Sequence, residues 1–325
     1  MHLTFAIPSL ADTGGGTGHA YAHGMTLALR GLGQQADVTE GDEPSFASGT
    51  IPVVDGLLLP HLLARLPELV AHEAVAVVHH VSARAGRDAG AREAVGTIER
   101  TMLPALRRVV ATSQSVAERL QQEFGVDRVA VVAPGTDDLP RSIPGSGPLQ
   151  VLSAGVLTPR KGYDTLLHAM TRLSDLDWRL TIAGSAMRDP AHARQLVALV
   201  SELGLAGRVT LAADPDADTM EHLWRSADVF ALATRWEGYP AGVMEALRRG
   251  LPVVVTAGGA AADHVPTGAG IVCALDDTPT LSKCLRRILF SRALRDSMAD
   301  GAWRAGQALP GWDAQARLFH NAVRR

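Results

Sequence analysis

Lysine is nearly missing from this 325-residue chain: 29 of its 31 basic residues are arginine, and the two lysines are Lys161 and Lys283. Each retained lysine therefore asks for a reason, such as a site that needs a compact ammonium. Cysteine is equally scarce. Cys273 and Cys284 form no CxxC, which excludes a disulfide framework and a cysteine zinc site. Aromatics make up only 4%, so the cores must be built from Ala, Val and Leu. No apolar run approaches the roughly 20 residues of a membrane span. The start, "MHLTFAIPSLADTGGG", has no basic n-region and reads as a first strand and turn, not a signal peptide. These features point to a cytoplasmic chain.

What is present is 46% hydrophobic content and a net charge of −3, unevenly divided. Residues 1–140 carry 10 Arg against 16 Asp plus Glu, and residues 141–325 carry 21 Lys plus Arg against 18. An acidic N-terminal half does not suit nucleic acid or an anionic membrane surface, and a mildly basic C-terminal half suits a phosphorylated ligand. A length of 325 residues suggests two domains. Short apolar runs alternate with helical stretches throughout. The expected strands are Leu3–Ile7, Val53–Leu59, Val75–Val78, Val109–Thr112 and Val129–Val132, then Gln150–Ala154, Arg179–Ala183, Arg208–Ala212, Asp228–Leu232, Leu251–Thr256 and Gly270–Cys273. Such alternation predicts an α/β chain with two doubly wound, Rossmann-like parallel sheets, which bind ligands at the carboxyl ends of their strands. "PGTDDLPRSIPGSGP", Pro134–Pro148, is the linker candidate. The expected domains are 1–140 and 149–310, with a helix over 311–325 crossing back to the first.

The loop "TGGGTGHAYAHG" lies between a strand and a helix but fails the dinucleotide fingerprint. His19 stands where Gly14 and Gly16 require a small residue, and Tyr21 stands where Gly16 and Gly18 do. No lysine follows, so it is not a P-loop either. Its glycines, Gly15 and Gly16 in particular, let backbone N–H groups approach an anion at the helix start. "VLSAGVLTPRKGYDTLLHAM" is a strand, turn and helix with Arg160 and Lys161 at the turn. Two cations at a helix N-terminus oppose the macrodipole, an arrangement that makes sense around a phosphate group. In "EGYPAGVMEALRRGLPVVV", Glu237 sits on a Gly-Tyr-Pro loop and Glu245 about a turn into the helix that follows.

"PRKGYDTLLHAM" together with "EGYPAGVMEALRRGLPVV" resembles the family 4 retaining glycosyltransferases, whose signature is Glu, seven residues, then Glu; here these are Glu237 and Glu245. "RVTLAADPDADTMEHLWRSADVFALAT" resembles that family's approach to the motif, and "TAGGAAADHV" resembles a segment that often has Glu where Asp263 stands. The resemblance covers residues 130–275 and is looser before them. It implies the GT-B fold, with an N-terminal acceptor-binding domain and a C-terminal nucleotide-sugar-binding domain facing a central cleft. It also implies transfer from a nucleoside-diphosphate sugar to a small-molecule or saccharide acceptor, with no metal and no cofactor. Lys161 would contact the diphosphate, joined by Arg160. Glu237 would lie by the donor sugar, Gly238, Tyr239, Pro240 and Ala241 would present backbone amides, and Glu245 would bind the ribose hydroxyls. A histidine ending a strand of the first domain would face the donor sugar. Strand alternation allows one of His79 and His80 to do so, and His79 is the choice. The sequence departs from the family at Val156, where an arginine is usual.

Retention is explained in that family by attack on the departing face, so a protein nucleophile is not required. Asp214-Pro215-Asp216 has the letters of a metal motif but lies in an expected loop. A glycosidase using the two glutamates fits poorly. Eight residues of helix span about 12 Å, whereas its carboxyl groups stand roughly 5 to 9.5 Å apart. A nucleotide-sugar epimerase, a phosphorylase and a non-catalytic sugar-nucleotide binder remain alternatives on the same fold.

Overall fold

The structure is a computed structural model and describes residues 1–10, 16–81 and 89–324. The chain divides into two compact units, Met1–Asp137 with Pro310–Arg325, and Asp138–Leu309. The division falls inside Pro134–Pro148. Just after it, the Ser142 N–H donates to the Arg249 carbonyl and its hydroxyl to the Trp224 carbonyl, which ties this stretch onto the second unit.

Unit 1 holds a six-stranded parallel sheet in the order β2-β1-β3-β4-β5-β6, from β1 (His2–Ile7), β2 (Gln35–Glu40), β3 (Ile51–Asp55), β4 (Val75–Val78), β5 (Arg108–Ala111) and β6 (Val129–Val131). Its helices are α1 (Thr17–Gly31), α2 (Ala89–Met102) and α3 (Gln114–Phe124). α3 shows how local chemistry sets an element. The Ser113 side chain accepts from the Val116 N–H, Gly125 ends the helix at φ 66°, and Val116, Ala117, Leu120 and Phe124 form its buried face.

Unit 2 holds a second six-stranded parallel sheet, β12-β11-β10-β7-β8-β9, from β7 (Leu149–Ala154), β8 (Trp178–Gly184), β9 (Val209–Ala213), β10 (Val229–Leu232), β11 (Val253–Thr256) and β12 (Gly270–Cys273). Its helices are α4 (Tyr163–Thr171), α5 (Pro190–Glu202), α6 (Ala217–Ser226), α7 (Ala241–Arg248), α8 (Thr278–Phe290) and α9 (Arg292–Gln307). The last helix, α10 (Trp312–Arg324), belongs to unit 1. Phe319 is fully buried there with its ring 5.5 Å from Phe5; the Trp312 indole lies where a side chain on Gly24 would stand, and the Trp312 backbone lies against Gly135.

Two expectations need correction. The strand expected over Val53–Leu59 ends at Asp55, whose carboxylate accepts from the Leu57 N–H and starts a run of short helical turns over 56–71. β2 was not anticipated: of its six residues only Ala36 is buried, so this edge strand lacks an apolar signal. In each sheet the strand order reverses once, between β1 and β3 in unit 1 and between β7 and β10 in unit 2. Those switch points are where open α/β sheets hold ligands.

Candidate functional site

In unit 2 the loops leaving β7 and β10 meet at the switch point. β7 runs into Gly155, Val156 and a single 3₁₀ turn, Pro159–Lys161, which closes on Gly162 at φ 64°. Gly162 is required there: a Cβ would lie 2.0 Å from the Ala233 carbonyl oxygen at the end of β10. The Arg235 N–H donates to the Arg160 carbonyl at 2.8 Å, and the Arg235 guanidinium bonds the Pro159 carbonyl and Asp164, so the two loops are laced together. On the other side the Glu237 N–H donates to the Gly258 carbonyl and the Glu237 carbonyl accepts from the Ala260 N–H.

The side chains converge on Glu237, which is 3% exposed. Lys161 Nζ lies 2.6 Å from its Oε1, and Arg160 Nη1 lies 3.0 Å from its Oε2. The Thr234 hydroxyl adds a third contact at 3.1 Å, and Arg160 also donates to the Trp236 carbonyl at 2.6 Å. Burial pushes the Glu237 carboxyl up, but the Arg160 and Lys161 charges and hydrogen bonds outweigh it and hold the pKa at about 2. Burial lowers the Lys161 amine below its usual range, with Glu237 opposing and Arg160 reinforcing the fall. The two partners thus point in opposite senses. The carboxylate gains from the cluster and the ammonium loses by being buried in it, so the pair is worth less than the Glu237 shift alone implies.

Tyr163 is fully buried and donates to the Gly155 carbonyl at 2.7 Å, fixing the loop that carries the cations. Gly238, Tyr239 and Pro240 are buried and Ala241 is exposed at the start of α7. Pro240 caps that helix without a side-chain hydrogen bond, and no acidic residue lies in its first turn. The Tyr239 ring stands edge-on to His264 at 5.8 Å, and burial pushes its phenol pKa up. Glu245 is partly exposed and held by Arg249, which is itself buried and also bonds Glu221. Asp214 accepts from the Ser185 hydroxyl and Asp216 caps α6, so both have structural partners. Among the described residues no cluster of three His, Cys, Asp or Glu side chains is placed to hold a metal ion, and no helix is long and apolar enough to cross a membrane.

In unit 1 Asp55, last in β3 beside the switch point, stands next to His79, directly after the neighbouring strand β4. His79 is 8% exposed and His80 half-buried. His79 Nε2 lies 3.6 Å from Asp55 Oδ2, and the Tyr21 ring stands edge-on to the imidazole at 5.2 Å. Burial lowers the His79 pKa and the Asp55 charge recovers only part of the fall. Gly16 caps α1 at φ 103°, and Gly15 lies outside the described residues. Asp55 escaped the sequence reading, although a carboxylate inside the apolar run "VVDGLLL" was a visible signal.

The family model "Glycosyl transferases group 1" matches residues 137–304, just over half of the chain. The chain belongs to the group 1 glycosyltransferases. It is 29% identical over 239 residues to the D-inositol 3-phosphate glycosyltransferase of Xylanimonas cellulosilytica, covering 67% of this chain and 57% of that one. It is 28% identical over 169 residues to the mannosylfructose-phosphate synthase of Agrobacterium fabrum, covering 46% and 37%. The chain spans about half the length of the curated relatives it matches. Among solved structures it is similar to the sucrose-phosphate synthase of Thermosynechococcus elongatus, with a TM-score of 0.84 at 20% identity over 99% of this chain and 98% of that one. It also resembles Anabaena HepE in complex with UDP and glucose, with a TM-score of 0.80 at 16% identity over 100% and 99%. The expected fold, two doubly wound α/β domains of the GT-B type, is borne out.

Proposed function

We propose that the chain is a retaining glycosyltransferase of family 4, transferring a sugar from a nucleoside-diphosphate sugar to the hydroxyl of a small-molecule or saccharide acceptor without a metal. One observation carries the reading: Lys161 and Arg160 both converge on buried Glu237 at the switch point of unit 2. Two cations held beside each other suit a diphosphate, and a buried carboxylate between them suits sugar hydroxyls once phosphate oxygens take over the cations. Arg160 also supplies the second positive charge that Val156 leaves out. The UDP and glucose of the HepE complex, and the sugar-phosphate and inositol-phosphate names among the relatives, agree with a nucleotide-sugar donor and a polyol acceptor.

In the reaction, the bond between the anomeric carbon and the phosphate oxygen breaks and the diphosphate leaves with the electron pair. The acceptor oxygen bonds to the anomeric carbon on the same face, and its proton passes to the departing phosphate. Lys161 and Arg160 stabilise the charge that grows on the leaving group, a preorganised electrostatic role. Gly238 to Ala241 offer backbone amides beside it, and Glu245 takes the ribose hydroxyls. Unit 2 is the donor domain and unit 1, acidic over residues 1–140, the acceptor domain. The test is turnover of UDP-, GDP- and ADP-linked sugars with free and phosphorylated polyols. Proton NMR of the product then reads whether the anomeric configuration of the donor is kept. Release of nucleotide only with acceptor, with configuration retained and in the presence of a chelator, supports the reading. Nucleotide release without acceptor favours an epimerase, and an inverted product removes the retaining assignment.

A further inference from the structure

Aromatic side chains are scarce in this chain, and unit 1 holds six: Phe5, Tyr21, Phe46, Phe124, Trp312 and Phe319. Four of them join into one row of rings. Phe5 and Phe319 lie 5.5 Å apart, and Phe319 and Trp312, both on α10, stand edge-on to Tyr21 at 6.3 and 6.5 Å. Tyr21 in turn meets the His79 imidazole edge-on at 5.2 Å. Edge-to-face pairs of this kind hold rings in a defined mutual geometry. The rest of the core around them is Ala, Val, Leu, Ile and Met. Aliphatic side chains would fill the same volume, so burial alone does not call for a row of rings that ends on a histidine.

His79 depends on such a neighbour, because no hydrogen bond orients it. Its Nδ1 is buried without a partner, and Nε2 lies 3.6 Å from Asp55 Oδ2, beyond hydrogen-bonding distance. An imidazole is usually fixed by a hydrogen bond to one ring nitrogen. Without one, the broad torsion that turns the ring is limited by the atoms packed against it, and Tyr21 is the ring packed there. Tyr21 is itself held on two sides: it is 1% exposed, its hydroxyl donates to the Val132 carbonyl at 3.3 Å, and α10 covers it with Trp312 and Phe319. Trp312 is set by the backbone. The chain re-enters unit 1 at Pro310, whose carbonyl accepts from both the N–H and the hydroxyl of Thr136, at 3.0 and 3.1 Å. Glycine at position 24 then admits the indole, since a Cβ there would lie 2.5 Å from it.

We propose that Trp312 and Tyr21 are positioning residues for His79: Trp312 fixes Tyr21 from α10, and Tyr21 fixes the plane of the imidazole at the carboxyl end of β4. Open α/β sheets hold their ligands at those strand ends, so the last helix of the chain acts on the ligand end of the first sheet as well as closing its core. The part His79 plays in turnover rests on the glycosyl-transfer reading, and the orientation of its ring does not.

The test follows the His79 ring signals by NMR in the isotope-labelled full chain, assigned by their loss in His79→Gln. Wild type is expected to show one set of ring signals with proton–proton contacts to the Tyr21 ring. Trp312→Leu leaves Tyr21 and Asp55 in place, and it should shift or broaden the His79 signals and weaken those contacts. Trp312→Phe, which returns a ring to the same position, should restore them. Trp312 is only partly buried, so the leucine variant should fold; Tyr21→Phe is the second variant, and by keeping the ring it should leave the His79 signals in place. In turnover of UDP-, GDP- or ADP-linked sugars, kcat should fall roughly tenfold or more in Trp312→Leu, the cost of a slightly misplaced group at a reacting centre. It should recover in Trp312→Phe, with UDP affinity unchanged in both. His79 signals that stay in place in Trp312→Leu overturn the positioning role. An equal shift in Trp312→Leu and Trp312→Phe traces the effect to lost volume and overturns it too. If wild type transfers no sugar yet Trp312→Leu moves the His79 signals, the positioning stands and the transfer reading falls. If transfer runs and the signals stay in place, the positioning falls and the transfer reading stands.

Discussion

Replacing Glu237 by Gln removes the carboxylate that lies 2.6 Å from Lys161 and 3.0 Å from Arg160. The fall of its pKa from 4.5 to about 2 corresponds to about 3 kcal/mol in favour of the charged, folded form. Burial of Lys161 gives part of this back, so the net loss in Glu237→Gln is set at about 2 kcal/mol, above the ~1 kcal/mol of an exposed pair. In a unit of this size that lowers the melting temperature by roughly 4–8 °C. The pH dependence follows from the direction of the shift. A carboxyl whose folded pKa is depressed contributes its full stability above the unfolded value of 4.5 and loses it as the pH falls through about 2. Thermal or urea unfolding of wild type and Glu237→Gln should therefore differ by a constant amount near neutral pH and converge in acid. Lys161→Ala should also destabilise, and the double variant should be less unstable than the two losses added, by about 1–3 kcal/mol. A Glu237→Gln chain as stable as wild type at pH 7, together with additive losses, would refute the cluster.

Gly162→Ala should cost more than about 1 kcal/mol, since φ is 64° and the new methyl meets the Ala233 carbonyl, and should weaken nucleotide binding along with it; unfolding and UDP titration read both. Arg249→Ala removes a buried guanidinium that bonds the partly exposed Glu221 and Glu245 and should cost about 1–2 kcal/mol in a urea melt. Glu245→Ala leaves Arg249 paired with Glu221, so its stability loss should stay under about 1 kcal/mol while affinity for UDP falls and affinity for inorganic diphosphate does not. Phe319→Ala should destabilise unit 1 by about 3–5 kcal/mol, seen as an earlier unfolding transition in calorimetry, because the ring is fully buried against Phe5.

Unit 2 was readable at the level of elements because its strands are short apolar runs closed by Gly, Pro or a helix cap. Expected Gly270–Cys273 is the observed β12, and expected Gln150–Ala154 differs from β7 by one residue. β2 escaped because an edge strand with one buried residue has no apolar pattern to find. The overrun at Val53–Leu59 has the opposite cause: "GLLL" is apolar whether it continues a strand or begins a buried turn, and Asp55 decides between them by capping Leu57. The motif residues were legible one by one. The closure of Lys161 and Arg160 onto Glu237 was not, because it joins positions 76 and 77 residues apart through Gly162 and Arg235. Asp55 beside His79 is a tertiary fact of the same kind.

Calorimetric titration of UDP into wild type, Lys161→Ala and Glu237→Gln tests the central claim most directly. If the Lys161–Arg160–Glu237 cluster is the diphosphate site, UDP binds wild type, loses about tenfold or more in Lys161→Ala, and binds Glu237→Gln at least as tightly as wild type, because both cations are then free for phosphate. Equal affinity for wild type and Lys161→Ala would place the nucleotide elsewhere and contradict the account.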